Sequence, residues 1–427
     1  MSSLLATTSM PAWLVPFLWQ DSLSIYWPIL VQGCLVSVAL GVLGCFLVVR
    51  GTSLLGDALS HCVLPGIVIG FWIGQSLSSP WILIGATLVG LLASLMISGV
   101  HTHSRVKEDA SLGVIFTAMF AAGVLMINLT ASGADLDPGC VLYGDIGHYV
   151  LTPAAIWPMA VICGLVIAGV VLFYRVLVVV SFDPQLAIAL GIPAAVVSLG
   201  LTAALSLALV ASFQAVGAVL AVALIITPGA TARLWTDRMP IMLMISAAHG
   251  VISATVGYWL SHPSVADTSA AGQMTVVGFA LFMLSYLFAP RHGILLKLWQ
   301  RLSLRRQVLA ENVVKALIDL RESRKPVTLG TLSEELRTSA WLAAHSVRLA
   351  RRFGWITEGG LALTSAGQRR ADRVRRAHEL WEQYLQTHVG LAADHVHDAA
   401  EWIEHHLSDD KLALLDEEMK QAGGAAK

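Results

Sequence analysis

Charged side chains are nearly absent from the first 300 residues of this 427-residue chain, which hold 8 Lys/Arg and 10 Asp/Glu, 6% of that stretch. Residues 301–427 carry 19 and 18, or 29%. Soluble domains average about 25% charged residues. The deficit excludes a single soluble fold and intrinsic disorder alike, and implies lipid as the solvent of the first part and water for the second. Cysteine is scarce as well. Cys34, Cys45, Cys62, Cys140 and Cys163 all fall in the apolar part at no paired spacing, which argues against a disulfide framework. No G-x-x-x-x-G-K-S/T stretch occurs, so no nucleotide site of that kind is visible. The start, MSSLLATTSMPAWLVPFLWQ, lacks a positive n-region and a small-residue cleavage site, and is not read as a cleaved signal peptide.

What is present is a series of apolar stretches long enough to cross about 30 Å of hydrocarbon. They lie at 27–49, 54–75, 81–99, 111–129, 151–174, 194–212, 214–232, 240–260 and 272–290. Gly, Pro and polar residues interrupt the second and seventh, where broken helices are expected. One re-entrant or interfacial segment would reduce nine spans to eight. Arg50, Arg105 with Lys107, Arg175, Arg233 with Arg238, and Arg291 with Lys297 cluster at alternate ends. The intervening loops hold Asp135, Asp137, Asp145 and Asp267 without Lys or Arg. The positive-inside rule then puts the carboxyl terminus in the cytoplasm and, with nine spans, the amino terminus outside.

Inside the second stretch, GTSLLGDALSHCVLPG places Asp57 and His61 four residues apart on one helical face. A carboxylate beside an imidazole can coordinate a divalent cation, and imidazole favours manganese, zinc or iron over calcium. The alternative is a structural hydrogen-bonded pair. His249 and His262 have no evident partner and read as packing or interfacial residues. The loop around His148 offers carboxylates of ordinary loop polarity. Between the fifth and sixth stretches, Asp183-Pro184 reads as a turn and helix start. Leu186, Ala187, Ala189 and Leu190 follow in a short, nearly apolar helix that ends at Gly191. Such a helix at the membrane surface either meets a partner protein or packs onto the bundle.

Residues 27–290 resemble the permease subunits of ABC transporters that import manganese, zinc or iron. GTSLLGDALSHCVLPG at 51–66, SFDPQLAIALGI at 181–192 and SFQAVGAVLAVALIITPGATA at 212–232 carry the resemblance. It implies a homodimer or a pair with a related permease, in a bacterial inner membrane. Cytoplasmic ATPase subunits and an extracytoplasmic metal-binding protein are the implied partners. This chain would then be no enzyme and bind no nucleotide. The resemblance also implies metal contact at Asp57 and His61, and ATPase coupling through Asp183, Pro184, Gln185, Leu186, Ala187 and Gly191.

The charged part begins with a basic exit, KLWQRLSLRRQVLA at 297–310, suited to lipid headgroups. From Glu311 the pattern is a helix over NVVKALIDLRES and then, from Val327, helix, turn, helix, short hairpin, helix: an α+β winged helix. Thr331-Leu-Ser333 ahead of Glu334 and Glu335 predicts a capped start, and Gly354 a helix end. Residues 301–376 hold 16 basic against 7 acidic residues; 377–427 hold 3 against 11. Arg348, Arg351 and Arg352 on the recognition helix are candidates for nucleic-acid or lipid contact, with pairing to the acidic tail as the other use of the basic charge. Arg369, Arg370, Arg373, Arg375 and Arg376 form a second basic cluster.

Ligand-type side chains follow. His378 and Glu382 stand four apart; His397, Glu401 and His405 recur at fours, with Glu404 alongside, all within about 100° of helical arc. That mixed N/O set suits manganese or iron better than a sulfur-rich zinc site. The alternative is a surface ion-pair helix. Residues 311–408 resemble metal-dependent repressors of the diphtheria-toxin-regulator and manganese-regulator type, through LALTSAGQRRA, HELWEQYL and VHDAAEWIEHHLS. The resemblance implies the same six ligands, a carboxylate at Glu401 as in the manganese-sensing branch, and a further ligand near Glu311 and Asn312.

The expectation is therefore an all-α polytopic bundle of eight or nine spans (1–296), a linker and winged helix (297–376), and a helical metal-binding and dimerisation-like segment (377–427). Its function would be ATP-driven import of Mn²⁺, or else Zn²⁺ or Fe²⁺, with a cytoplasmic metal-responsive domain. A membrane-tethered, metal-dependent DNA-binding regulator and an ion-coupled secondary metal transporter are the alternatives.

Overall fold

The computed structural model describes residues 20–75, 79–130, 146, 155–261, 268–389, 403 and 409–425. The chain divides into two compact units, Met1–Leu296 and Lys297–Lys427. Among its described residues the first unit is helical: α1 (Gln20–Arg50), α2 (Leu54–Cys62), α3 (Leu64–Gly74), α4 (Pro80–His103), α5 (Glu108–Thr130), α6 (Ile156–Leu172), α7 (Tyr174–Phe182), α8 (Pro184–Ala189), α9 (Ala194–Trp235), α10 (Met239–Ser261) and α11 (Ala270–Phe288). Eight helical stretches among the described residues are long and apolar enough to cross a membrane. A ninth candidate is the pair α6 and α7, bent by 76°.

The second stretch is broken as its composition predicts. α2 stops at Cys62 and α3 resumes at Leu64, with Pro65 in its first turn, where the missing N–H costs nothing. The sixth and seventh stretches abut without a loop in α9, whose axis breaks at Gly217 (φ 75°, ψ 165°). That region of φ/ψ is open to glycine and strained for other residues. The central helix is α1, which packs against α9, α10 and α6. Gly44 lets it approach α9 closely, because the carbonyl of Ile225 fills the space a Cβ would need. Small residues at such contacts replace the hydrophobic drive that lipid does not supply.

The second unit runs through α12 (Ile294–Glu322), α13 (Leu329–Glu335), α14 (Ala340–Arg352), α15 (Ser365–Tyr384), a π-helical turn Leu385–Val389, and α16 (Asp409–Ala425). Val313, Val314, Leu317 and Leu320 of α12 pack with Leu332, Val347, Ala350, Ile356 and Ala371 in one core. The start of α13 lies earlier than the expected cap at 331–333. Thr328 and Thr331 close a reciprocal capping box, each side chain on the other's backbone N–H (3.2 and 3.0 Å). Gly354 (φ 72°) follows α14 as expected. The wing shows no strand among the described residues. Ile356 and Leu363 form an isolated antiparallel bridge, flanked by Thr357 N–H to Ala362 O and Thr364 N–H to Trp355 O. The segments on either side of Gly359-Gly360 are too short to extend the ladder.

Candidate functional site

Asp57 and His61 share a face of α2, which begins three residues after Gly51 (φ 74°), the residue that follows α1. His61 Nε2 lies 3.8 Å from Asp57 Oδ1. Phe116 and Phe120 of α5 pack against the imidazole, each with ring centroids 5.3 Å away. Asp57 is about half exposed, at 52%, and His61 at 25%. Metal–ligand bonds of about 2.1 Å at 90–110° separate two donor atoms by roughly 3.0–3.4 Å. The pair therefore needs only a small side-chain movement to chelate one ion. It supplies two ligands, and no group of three or more His, Cys, Asp or Glu suited to a metal occurs among the described residues. A complete shell needs donors from outside this cluster.

Asp183 caps α8: its Oδ1 accepts from Gln185 N–H (3.0 Å) and Leu186 N–H (2.9 Å), with Pro184 in the first turn. Gly191 (φ 77°) ends the helix through its N–H to Ile188 O. Ala187 is fully buried against Val180 and Ala194, whereas Leu186, Ile188 and Leu190 are exposed. The helix is thus seated by one residue and presents three large apolar ones outward.

In α15, His378 is buried and its Nε2 lies 2.9 Å from Glu382 Oε1. That distance is a hydrogen-bonded contact between residues four apart on one face of the helix. His397, Glu401, Glu404 and His405 lie outside the described residues, as do His262 and the loop bearing His148. Glu311 is fully buried; its Oε1 accepts from Gln307 Nε2 (2.7 Å) and from Nε and Nη2 of Arg370. Arg370 also lies over the Trp355 ring, 5.7 Å from its centroid. Glu311 thereby ties α12 to α15.

The basic residues divide by use. Arg351 donates to Gly360 O (3.0 Å), bracing the wing turn, while Arg348 and Arg352 are exposed. Arg375 binds Glu322 (2.6 Å), which raises its pKa further, and Arg376 binds Asp416 of α16 (2.5 Å). Pairing with the acidic tail thus accounts for Arg376. On α14, exposed Trp341 stacks on His345 with centroids 5.7 Å apart.

Two features had little or no sequence signal. His249 is buried, and neither ring nitrogen has a partner among the described residues. Its Nε2 and Thr227 Oγ1 border the space beside Gly278. Asp237, between α9 and α10, meets Arg233, Arg291 and His292. The Arg291 hydrogen bond, then those of His292 and the nearby charges, hold its carboxyl below the ordinary range.

The sequence profile of the ABC 3 transport family matches residues 23–289. That of the iron-dependent repressor metal-binding and dimerisation domain matches 364–422. A manganese transport system membrane protein of Halalkalibacterium halodurans is 41% identical over 271 residues, covering 64% of this chain and 89% of that protein. A zinc transport system membrane protein of Treponema pallidum is 35% identical over 350 residues, covering 78% and 94%. That share is larger than Met1–Leu296 can supply, so part of the second unit aligns too. Among solved structures, PsaBC from Streptococcus pneumoniae in complex with Fab matches with a TM-score of 0.56 at 29% identity, over 64% of this chain and 95% of that one.

Proposed function

Because the chain belongs to the ABC 3 transport family, we propose that it is the permease subunit of an ATP-driven importer of divalent transition metals. Manganese is the favoured cargo, with zinc and iron as the alternatives. The observation that carries this reading is the Asp57/His61 pair, 3.8 Å apart on one face of an otherwise apolar span. An ionisable pair is costly in hydrocarbon and is kept where an ion passes. The carboxylate offsets the charge of the cargo as it sheds water, and the imidazole disfavours calcium and magnesium. Relatives named for manganese and zinc transport support the metal class. Hydrolysis occurs on separate cytoplasmic ATPase subunits that dock on α8, and an extracytoplasmic metal-binding protein delivers the ion. A second permease copy, identical or related, supplies donors beyond the two of this pair.

The test is uptake of radiolabelled Mn²⁺, Zn²⁺ and Fe²⁺ by membranes holding the chain with its ATPase and binding protein. Replacing Asp57 and His61 by alanine is expected to reduce uptake to background while assembly persists. Unimpaired uptake by an assembled double variant overturns the site. Uptake with no ATPase present favours an ion-coupled secondary transporter.

The second unit is proposed to sense cytoplasmic metal. Occupancy of His378, Glu382, His397, Glu401, Glu404 and His405 would rearrange paired tails and lower import. The repressor-domain match over 364–422 and the placement of His378 and Glu382 on one face of α15 support this. In this reading Arg348 and Arg352 meet anionic lipid. A membrane-tethered regulator would instead need metal-dependent, sequence-specific DNA binding, readable by gel shift.

A further inference from the structure

Arg50 is the last residue of α1 and sits where three elements converge. Its Nε donates to Ser181 Oγ at 3.2 Å and its Nη1 to Ser198 Oγ at 2.8 Å. Ser181 lies at the end of α7, just ahead of α8, and Ser198 in the first turns of α9, just after it. One guanidinium therefore spans both flanks of the short exposed helix. Those flanks do not slide freely against α8, because Ala187 is locked between Val180 and Ala194. A force on Leu186, Ile188 or Leu190 accordingly moves the end of α7, α8 and the start of α9 together.

On its other side Arg50 adjoins the turn into α2. Gly51 N–H bonds Val48 O (3.2 Å) and Thr52 N–H bonds Leu47 O (3.1 Å). These bonds fix the direction in which α2 leaves, with Asp57 seven residues after Arg50. Gly56 of α2 also packs on Ile225, so the helix has a defined seat from which to shift. A planar fork that reaches two acceptors at once is a property of arginine and not of lysine. Two neutral hydroxyls, unlike a carboxylate, grip a cation without fixing it permanently.

We propose that Arg50 is the positioning residue that carries displacement of α8 to the Asp57/His61 segment. The inference rests on the reading of α8 as the ATPase-facing element. Coupling through a contiguous set of contacts of this kind is tested by changing the contacts and reading the coupling itself.

The measurement is the number of metal ions moved per ATP hydrolysed, with the full chain reconstituted in vesicles with its ATPase and binding protein. Arg50→Met keeps the aliphatic stem and removes the fork. Ser181→Ala with Ser198→Ala removes the acceptors and leaves the arginine. Both are expected to lower the ratio about tenfold while hydrolysis stays within about twofold of the unaltered chain. Arg50→Lys should fall between, and the triple variant should be no worse than Arg50→Met. A ratio kept within about twofold in the serine variant overturns the proposal. So does a parallel fall in hydrolysis and transport, the mark of a merely structural anchor. If Arg50→Met does not assemble, the serine variant decides alone. Absence of ATP-dependent uptake by the unaltered chain sinks the importer reading itself, and this inference with it.

Discussion

Glu311 has no solvent exposure, and Gln307 and Arg370 both donate hydrogen bonds to its Oε1. Removing one partner of such a pair strands the other charge, a loss of about 3 kcal/mol or more. Glu311→Ala should destabilise the second unit by about 3 kcal/mol in denaturant unfolding. Glu311→Met with Arg370→Met should recover most of it, and equal losses in both variants would refute the pairing argument. A second carboxylate, Asp319, is pushed above the ordinary range, chiefly by burial, with Lys315 opposing. A carboxyl with a raised folded pKa reduces stability once it must ionise. The penalty is absent below the unfolded value near pH 4 and grows as pH rises through the folded one. Asp319→Asn is therefore expected to raise the tail's melting temperature at pH 7, the gain vanishing toward pH 4. A pH-independent gain would count against burial as the cause. Asp57/His61 and His378/Glu382 were legible from their spacing of four residues, because that spacing alone puts side chains on one helical face. The Glu311–Arg370 pair was not, since 59 residues separate its members and only the packing of α15 on α12 joins them.

At the scale of the element, α8 was readable because Asp-Pro and Gly bracket it, and the structure adds which residues face outward. Leu186→Glu or Ile188→Glu should leave the fold intact, as both side chains are exposed. Each should lower co-purification of the ATPase subunit by about tenfold or more, as expected for a central apolar anchor. Retained co-purification would move the docking surface elsewhere. Elements were less well marked where caps compete. The run from Val327 to Glu335 offers Thr328, Thr331 and Ser333 as candidate caps. The Thr328–Thr331 box prevailed because each residue satisfies the other's free N–H, a reciprocity that composition alone does not rank.

For the whole molecule, the division at Leu296/Lys297 separates a bundle suited to lipid from a charged, water-compatible unit. If the second unit regulates and does not itself conduct, a chain ending at Leu296 should still support ATP-dependent uptake with its partners. It should lose the fall in uptake that follows preloading with cytosolic Mn²⁺. A truncated chain that keeps this response would place the sensor elsewhere. Titration of residues 297–427 with Mn²⁺ should meanwhile show binding that Glu401→Ala with His405→Ala weakens.

The two solvents, nearly the limits of the apolar stretches, and the shared faces of Asp57 with His61 and of His378 with Glu382 were legible in the linear pattern. These are local properties: hydrocarbon thickness sets span length, and helical pitch sets which residues share a face. Only the tertiary structure decided that Phe116 and Phe120 pack against His61, that Ala187 seats α8, and that Arg50 reaches Ser181 and Ser198. Those contacts join residues 55 to 148 positions apart or rest on which small side chain fits a given gap. A linear pattern carries no term for either.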